Sequence, residues 1–109
     1  MNGKTIAEKL IKCRLYKFIF TKHAELRLVN RQIEKKLVIR HLQKPDSLKM
    51  AEKLPAGRDD EKYKLWFVPS KRIAYIYIIV INYFQQRIVI KTVIKQRLMW
   101  QKRVEKHVK

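Results

Sequence analysis

The longest apolar run of the chain lies at residues 73–81, where every side chain except Ala74 is β-branched or aromatic. Such side chains pack well on a pleated surface and lose rotamer freedom in a helix, so the run predicts a β-strand. Both faces of this strand would be apolar. We therefore expect it to lie inside a sheet that is covered on at least one side.

A second strand is predicted at residues 87–94, after a polar break at residues 84–86. Alternation assigns its side chains to two faces, with Ile88, Ile90, Thr92 and Ile94 on one and Arg87, Val89, Lys91 and Val93 on the other. The two strands form an antiparallel hairpin in this interpretation. The second strand then has one basic, partly solvated face.

Helical periodicity precedes the hairpin and predicts helices at residues 6–15, 22–30 and 34–43. Thr21 is the expected N-cap of the second helix, and Pro45 ends the third. An extended segment at residues 16–20 separates the first two helices. Further strands are predicted at residues 47–54 and 63–68, on either side of a Pro- and Gly-containing turn.

The predicted fold is therefore α+β, in a single domain that spans residues 1–109. Helices in residues 1–44 pack on a four-stranded antiparallel sheet in residues 47–95. A basic C-terminal helix or tail follows in residues 96–109.

Charge narrows the class of partner, because 27 Lys and Arg residues face only 9 Asp and Glu residues, for a formal net charge of +18. A polyanion relieves the self-repulsion of such a domain, and nucleic acid is the expected polyanion. An anionic membrane surface and an acidic protein remain alternatives. A heat-adapted surface is disfavoured, because that composition pairs Lys with Glu.

The single cysteine, Cys13, excludes a disulfide framework and suits a reducing cytoplasm. No secretory signal pattern opens the chain. The apolar run at residues 73–81 falls far short of the roughly 20 residues that a membrane helix needs. We expect a cytoplasmic protein with no membrane span.

Candidate chemistry is concentrated at residues 23–31, where His23, Arg27 and Arg31 follow one another at intervals of four. In a helix they form one stripe. An imidazole can transfer a proton near neutral pH, and a guanidinium binds phosphate through a fixed, charged fork. The stripe suits phosphodiester chemistry, and a solvated helix face is the alternative interpretation.

The motif His-Ala-x-x-Arg-x-x-x-Arg at residues 23–31 is followed by a helix that ends at Pro45-Asp46 and by the strand Ile-Val-Ile-Lys-Thr-Val at residues 88–93. Over residues 20–97 this arrangement resembles a family of small prokaryotic proteins grouped with the RelE-like, barnase–colicin–RelE ribonuclease toxins. The chain departs from that pattern by having Gln32 where a glycine often follows the arginine.

The resemblance implies a RelE-like fold and metal-independent cleavage of RNA by attack of the 2′-hydroxyl on the adjacent phosphate. His23 would act as general base or acid, and Arg27, Arg31 and Lys91 would hold the phosphate. It also implies an acidic antitoxin as protein partner, RNA (ribosome-associated RNA or tRNA included) as target, and no metal or cofactor. Further cations expected to bind nucleic acid are Arg87, Lys95, Arg97, Lys102 and Arg103.

Three other interpretations stay open. Asp46, Asp60 and Lys62 resemble the acidic and lysine positions of metal-dependent nucleases, in which carboxylates hold Mg²⁺. The chain could also bind nucleic acid by charge alone, or act at a membrane surface or in an assembly through its basic end. Tyr75 and Tyr77 are predicted to be core aromatics before they are platforms for a base.

Overall fold

The computed structural model describes residues 3–97. It contains three helices, α1 (Gly3–Lys12), α2 (Lys22–Arg31) and α3 (Lys35–Gln43). Five strands accompany them: β1 (Lys17–Phe20), β2 (Leu48–Leu54), β3 (Asp60–Phe67), β4 (Ile73–Asn82) and β5 (Arg87–Arg97). A 3-10 turn at Pro45–Ser47 joins α3 to β2. Within these described residues, no helix has the length and apolar character needed to cross a membrane.

All five strands form one sheet in the order β1-β5-β4-β3-β2. The apolar strand β4 lies in the middle and pairs antiparallel with both β3 and β5. This confirms the interior position expected from its two apolar faces. The α+β class is confirmed as well.

The prediction of a four-stranded antiparallel sheet is wrong by one strand. β1 pairs with β5 in parallel, with Lys17 opposite Arg87 and Phe20 opposite Ile90. The sheet is therefore mixed, and the segment predicted as extended at residues 16–20 contains one of its strands. A four-residue strand whose partner lies far along the chain has no hairpin turn to indicate the pairing.

The N-cap prediction is confirmed, because the backbone N–H of Ala24 donates to the Thr21 hydroxyl at 3.1 Å. Helix α1 spans Gly3–Lys12, so both of its ends lie three residues earlier in the chain than the predicted helix at residues 6–15. Its C-terminal end passes into a turn in which Cys13 is buried and Leu15 is 87% exposed. The apolar pattern thus continues beyond the helix, which explains the displaced boundary.

The helices pack against one face of the sheet, which we name the covered face. Its β4 residues are Tyr75, Tyr77, Ile79 and Ile81, and its helical partners include Ile6, Leu10, Leu28, Val38 and Leu42. The alternate residues of β4, among them Ile76, Ile78 and Val80, point to the other face. None of those three belongs to the helix-covered core.

A β-bulge at Lys91 changes the side-chain assignment of β5. Thr92 lies opposite Ile78 whereas Ile90 lies opposite Ile79, so Lys91 has no partner in the register. Beyond the bulge, Val93 is fully buried on the covered face. The expectation that Thr92 and Ile94 share a face with Ile88 is therefore wrong. The sequence does not mark the extra residue, because apolar residues on both sides of Lys91 fit either assignment of faces.

Candidate functional site

Helix α2 begins directly against the bulge of β5. The backbone N–H of Thr21 donates to the carbonyl of Ile90 at 3.1 Å, and its hydroxyl donates to the carbonyl of Lys91 at 3.3 Å. The same hydroxyl accepts the capping bond from Ala24. One threonine thus connects the N-terminus of α2 to the bulge that carries Lys91.

We name this junction the α2–β5 corner and define it by three polar residues of its two elements: His23, Arg27 and Lys91. His23 is the second residue of α2 and is exposed, Arg27 follows one turn later and is half-buried, and Lys91 is exposed. The N-terminus of a helix adds a positive partial charge and unpaired N–H groups. A helix N-terminus that adjoins cationic residues is an electrostatic environment that favours an anion.

Arg31 is not part of the same corner. It lies in the last turn of α2, eight residues after His23, which corresponds to about 12 Å along the helix axis. Arg31 instead lies at the end of α2 that leads into α3.

The other predicted cations of β5 are spread along the strand. Arg87 lies opposite Asn82 and beside Lys17 of β1, whereas Lys95 and Arg97 lie opposite Tyr75 and Ile73 at the other end. Four residues of strand separate Lys91 from Arg87 and from Lys95, or about 13 Å. They form a line and not a pocket. Lys102 and Arg103 lie outside the described residues.

Two surface clefts adjoin α3, and the sequence prediction missed both. One, of about 280 Å³, is lined by Gln32, Ile33, Glu34, Lys36, Leu37, Arg40 and Tyr75. The other, of about 370 Å³, is lined by Lys36, Ile39, Arg40, Gln43 and Lys44. The spacing of Lys36, Arg40 and Lys44 was the available signal in the sequence.

A solved structure has a fold similar to that of this chain. One chain in the crystal structure of an archaeal RelE–RelB complex from Pyrococcus horikoshii OT3 matches with a TM-score of 0.50 and 16% sequence identity. The match covers 77% of this chain and 96% of that chain. The fold is RelE-like. No protein-family model matches the sequence, and no curated protein matches it either.

In this RelE-like fold, His41 and the two tyrosines of β4 belong to the core. His41 Nδ1 lies 2.8 Å from Tyr77 Oη, and its ring stacks on Phe67 at a centroid distance of 5.1 Å. Burial, with the nearby Arg40 charge, lowers the pKa of His41. Tyr75 and Tyr77 are also buried, so the core interpretation of these rings is confirmed.

The acidic residues of the metal-nuclease alternative lie far apart in the RelE-like fold. Asp46 sits in the turn before β2, and the carbonyl of the next residue, Ser47, accepts a bond from Val68 just beyond β3. Asp60 begins β3 at its opposite end and accepts a bond from Asn82. The length of β3, about 25 Å, separates Asp46 from Asp60, and most of that length separates Asp46 from Lys62.

No group of three or more potential metal ligands occurs within residues 3–97. The separation of Asp46 and Asp60 therefore rules out the shared Mg²⁺ site that this alternative requires.

A further polar network, centred on Glu61, was not predicted. Its carboxylate accepts hydrogen bonds from Tyr83 at 2.7 Å, Tyr63 at 3.0 Å and Lys9 at 3.3 Å. Burial opposes ionisation, but these hydrogen bonds and the Lys9 charge outweigh it and hold the pKa of Glu61 below its usual value. Every donor is engaged with the carboxylate, so the network connects α1 to the sheet and is structural.

Proposed function

We propose that this protein binds RNA and cleaves it as a metal-independent endoribonuclease of the toxin type, at the α2–β5 corner. The observation that supports the proposal is the contact of α2 with the β5 bulge: Thr21, two residues before His23, donates to the backbone carbonyl of Lys91, and both His23 and Lys91 are exposed. The RelE-like fold supports the toxin class.

The chemistry assigned to the corner is transfer of a proton by His23 during attack of the ribose 2′-hydroxyl on the adjacent phosphorus. The bond that forms is 2′-O to phosphorus, and the bond that breaks is phosphorus to 5′-O, so the products are a 2′,3′-cyclic phosphate and a 5′-hydroxyl. His23 takes the 2′-hydroxyl proton or supplies one to the leaving oxygen. Arg27 and Lys91 stabilise the charge that builds on the phosphate oxygens.

The test compares RNA cleavage by the wild type, His23→Ala and Lys91→Ala, with chelator present throughout. We expect His23→Ala to lose about 10²–10⁴-fold in rate while it still binds RNA. Lys49→Ala, an exposed cation on β2, is the matched control and should cleave normally. A wild type that leaves RNA intact, or a His23→Ala protein that cleaves at the wild-type rate, would contradict the proposal.

We also propose an acidic antitoxin that covers the corner and Arg31. The structurally similar chain is part of a RelE–RelB complex, and the net charge of +18 provides the complementary surface. Expression of the protein alone should arrest growth, and Arg27→Ala should relieve the arrest. Equal growth arrest by the wild type and Arg27→Ala would show that the α2–β5 corner is not the source of the toxicity.

A second candidate function, RNA binding without cleavage, is favoured by one observation. The side chain of His23 makes no hydrogen bond or ion pair with any partner in the part of the chain that the structure describes. A catalytic histidine is usually oriented by a third group. In this case His23→Ala and the wild type would bind RNA with the same salt dependence, and neither would cleave it.

A further inference from the structure

Three cations form a row on the exposed side of α3 and its C-cap. Lys36, Arg40 and Lys44 are four residues apart and all exposed, so about 6 Å of helix rise separates each from the next. We name them the α3 row. None of the three forms an ion pair within residues 3–97, although Glu34 lines one cleft together with Lys36 and Arg40.

The α3 row is unfavourable for the free protein. Like charges four residues apart destabilise a helix, and Lys36 in the first turn opposes the helix dipole. The N-cap residue, Glu34, makes no side-chain capping bond that would offset this. A bound polyanion would remove this repulsion between the three cations. Solvent alone leaves it in place.

The shape of the surface around the α3 row also fits a strand. Lys36 and Arg40 line both clefts beside α3, so they stand on the ridge between two depressions. The clefts measure about 280 and 370 Å³, just below and near the lower limit of the ligand-site range of ~300–1,000 Å³, and this size suits parts of a nucleotide better than a whole cofactor.

Helix α2 connects the α3 row to the α2–β5 corner. Gln32, which lines one of the clefts, directly follows Arg31 at the end of α2. The other end of α2 carries His23 at the corner. Along the chain, Arg31 and Gln32 therefore lie between the corner residue His23 and the α3 row.

We propose that the α3 row binds the phosphate backbone of a single-stranded RNA whose scissile phosphate lies in the α2–β5 corner. This inference rests on the proposed function and extends it. In this arrangement α3 contacts the part of the RNA that extends beyond the scissile phosphate, and α2 carries the residues that cleave it. An RNA too short to extend from the α2–β5 corner to α3 would not contact the α3 row.

The test uses the full chain with Lys36, Arg40 and Lys44 all changed to Gln. Its control changes Lys49, Arg58 and Lys71 to Gln, which are also two lysines and one arginine, all exposed and away from α3. Binding of a long single-stranded RNA is measured over a range of salt, and cleavage is measured on the same RNA and on a dinucleotide. Thermal unfolding shows that each variant is folded.

For the α3 variant we expect the slope of log affinity against log salt to become shallower by about 2, since each lost phosphate contact on a single strand contributes about 0.7. Dinucleotide cleavage should match the wild type, and the control variant should keep the wild-type slope. The α3 variant should unfold at the same or a higher temperature than the wild type.

Equal losses in both variants, or an unchanged slope in the α3 variant, would overturn the assignment of the α3 row while the proposed function stands. Unchanged RNA binding with weakened binding to poly-glutamate would also overturn it, and would assign the row to an acidic protein. A wild type that does not bind RNA would overturn the proposed function together with this inference.

Discussion

At the scale of single residues, His41 and Glu61 show how the protein handles titratable groups below its surface. His41 lies among the rings of Phe67, Tyr75 and Tyr77, so a protonated imidazole would be a buried positive charge among aromatic neighbours. Glu61 is the opposite case, because its charged form receives three hydrogen bonds. Both folded-state pKa values lie below those of the free side chains.

The pKa of His41 predicts a loss of stability in mild acid. Since the folded protein binds this proton less well than the unfolded chain, stability is complete above the unfolded value of 6.5 and falls as the pH drops below it. Urea unfolding between about pH 7.5 and about pH 5 should show this decline, and His41→Phe should reduce it. Tyr77→Phe should lower stability by about 1 kcal/mol and keep the pH dependence.

Glu61→Gln should lower the free energy of unfolding at neutral pH by about 1–3 kcal/mol, because three hydrogen bonds lose a charged acceptor. The contribution of Glu61 is present above its unfolded pKa of 4.5 and is lost as the pH falls through the lower folded value. The difference between wild type and variant should therefore shrink in acid. Glu8→Gln, an exposed glutamate on α1, should have little effect, and an equal loss there would refute the role of Glu61.

At the scale of elements, the junction of α2 with β5 depends on Thr21. Its hydroxyl caps the helix and also bonds to the carbonyl of Lys91 at the bulge. The bulge leaves Lys91 outside the regular register. A helix end and a strand irregularity are thereby held together, which gives the α2–β5 corner its shape.

Thr21→Ala should cost about 0.5–2 kcal/mol of stability, the usual effect of removing an N-cap. It should also lower the rate of RNA cleavage, by up to about 100-fold, because His23 loses its fixed position relative to Lys91. Thr21→Ser keeps the hydroxyl and should retain both properties. Cleavage unchanged in Thr21→Ala would mean that the capping bond does not position the corner.

Elements with a strong local pattern could be predicted from the sequence, and contacts between distant elements could not. The run at residues 73–81 identified the central strand, and Thr21 identified the start of α2. The pairing of β1 with β5 and the bulge at Lys91 depend on register, which the sequence leaves open because apolar residues occur on both sides of Lys91. His23 could be selected by its spacing with Arg27 and Arg31, and Lys91 by the family resemblance, whereas the contact between α2 and β5 is visible only in the folded structure.

At the scale of the whole molecule, the net charge of +18 governs the electrostatics of the free protein. Three ion pairs are formed within residues 3–97, and two of them share Glu61. Most cations are therefore uncompensated in the free protein. Folding works against this repulsion, and an RNA ligand would relieve it.

Salt should accordingly stabilise the free protein and weaken its complex with RNA. Screening reduces the self-repulsion of the free chain, whereas added salt reduces the gain from counterion release when RNA binds. At low salt, RNA at about 100 times its Kd should add about 2.7 kcal/mol of stability, and this gain should vanish at high salt. Thermal unfolding with and without RNA measures both trends, and a free protein destabilised by salt would contradict them.

The central claim, that His23 and Lys91 act on one phosphate, is tested most directly by a double-mutant cycle in single-turnover RNA cleavage. The cycle compares the wild type, His23→Ala, Lys91→Ala and the double variant. If both side chains serve the same transition state, the double variant loses less than the product of the single losses, with a coupling of about 0.5–3 kcal/mol. Single losses that simply multiply, or a wild type that leaves RNA uncut, would contradict the claim.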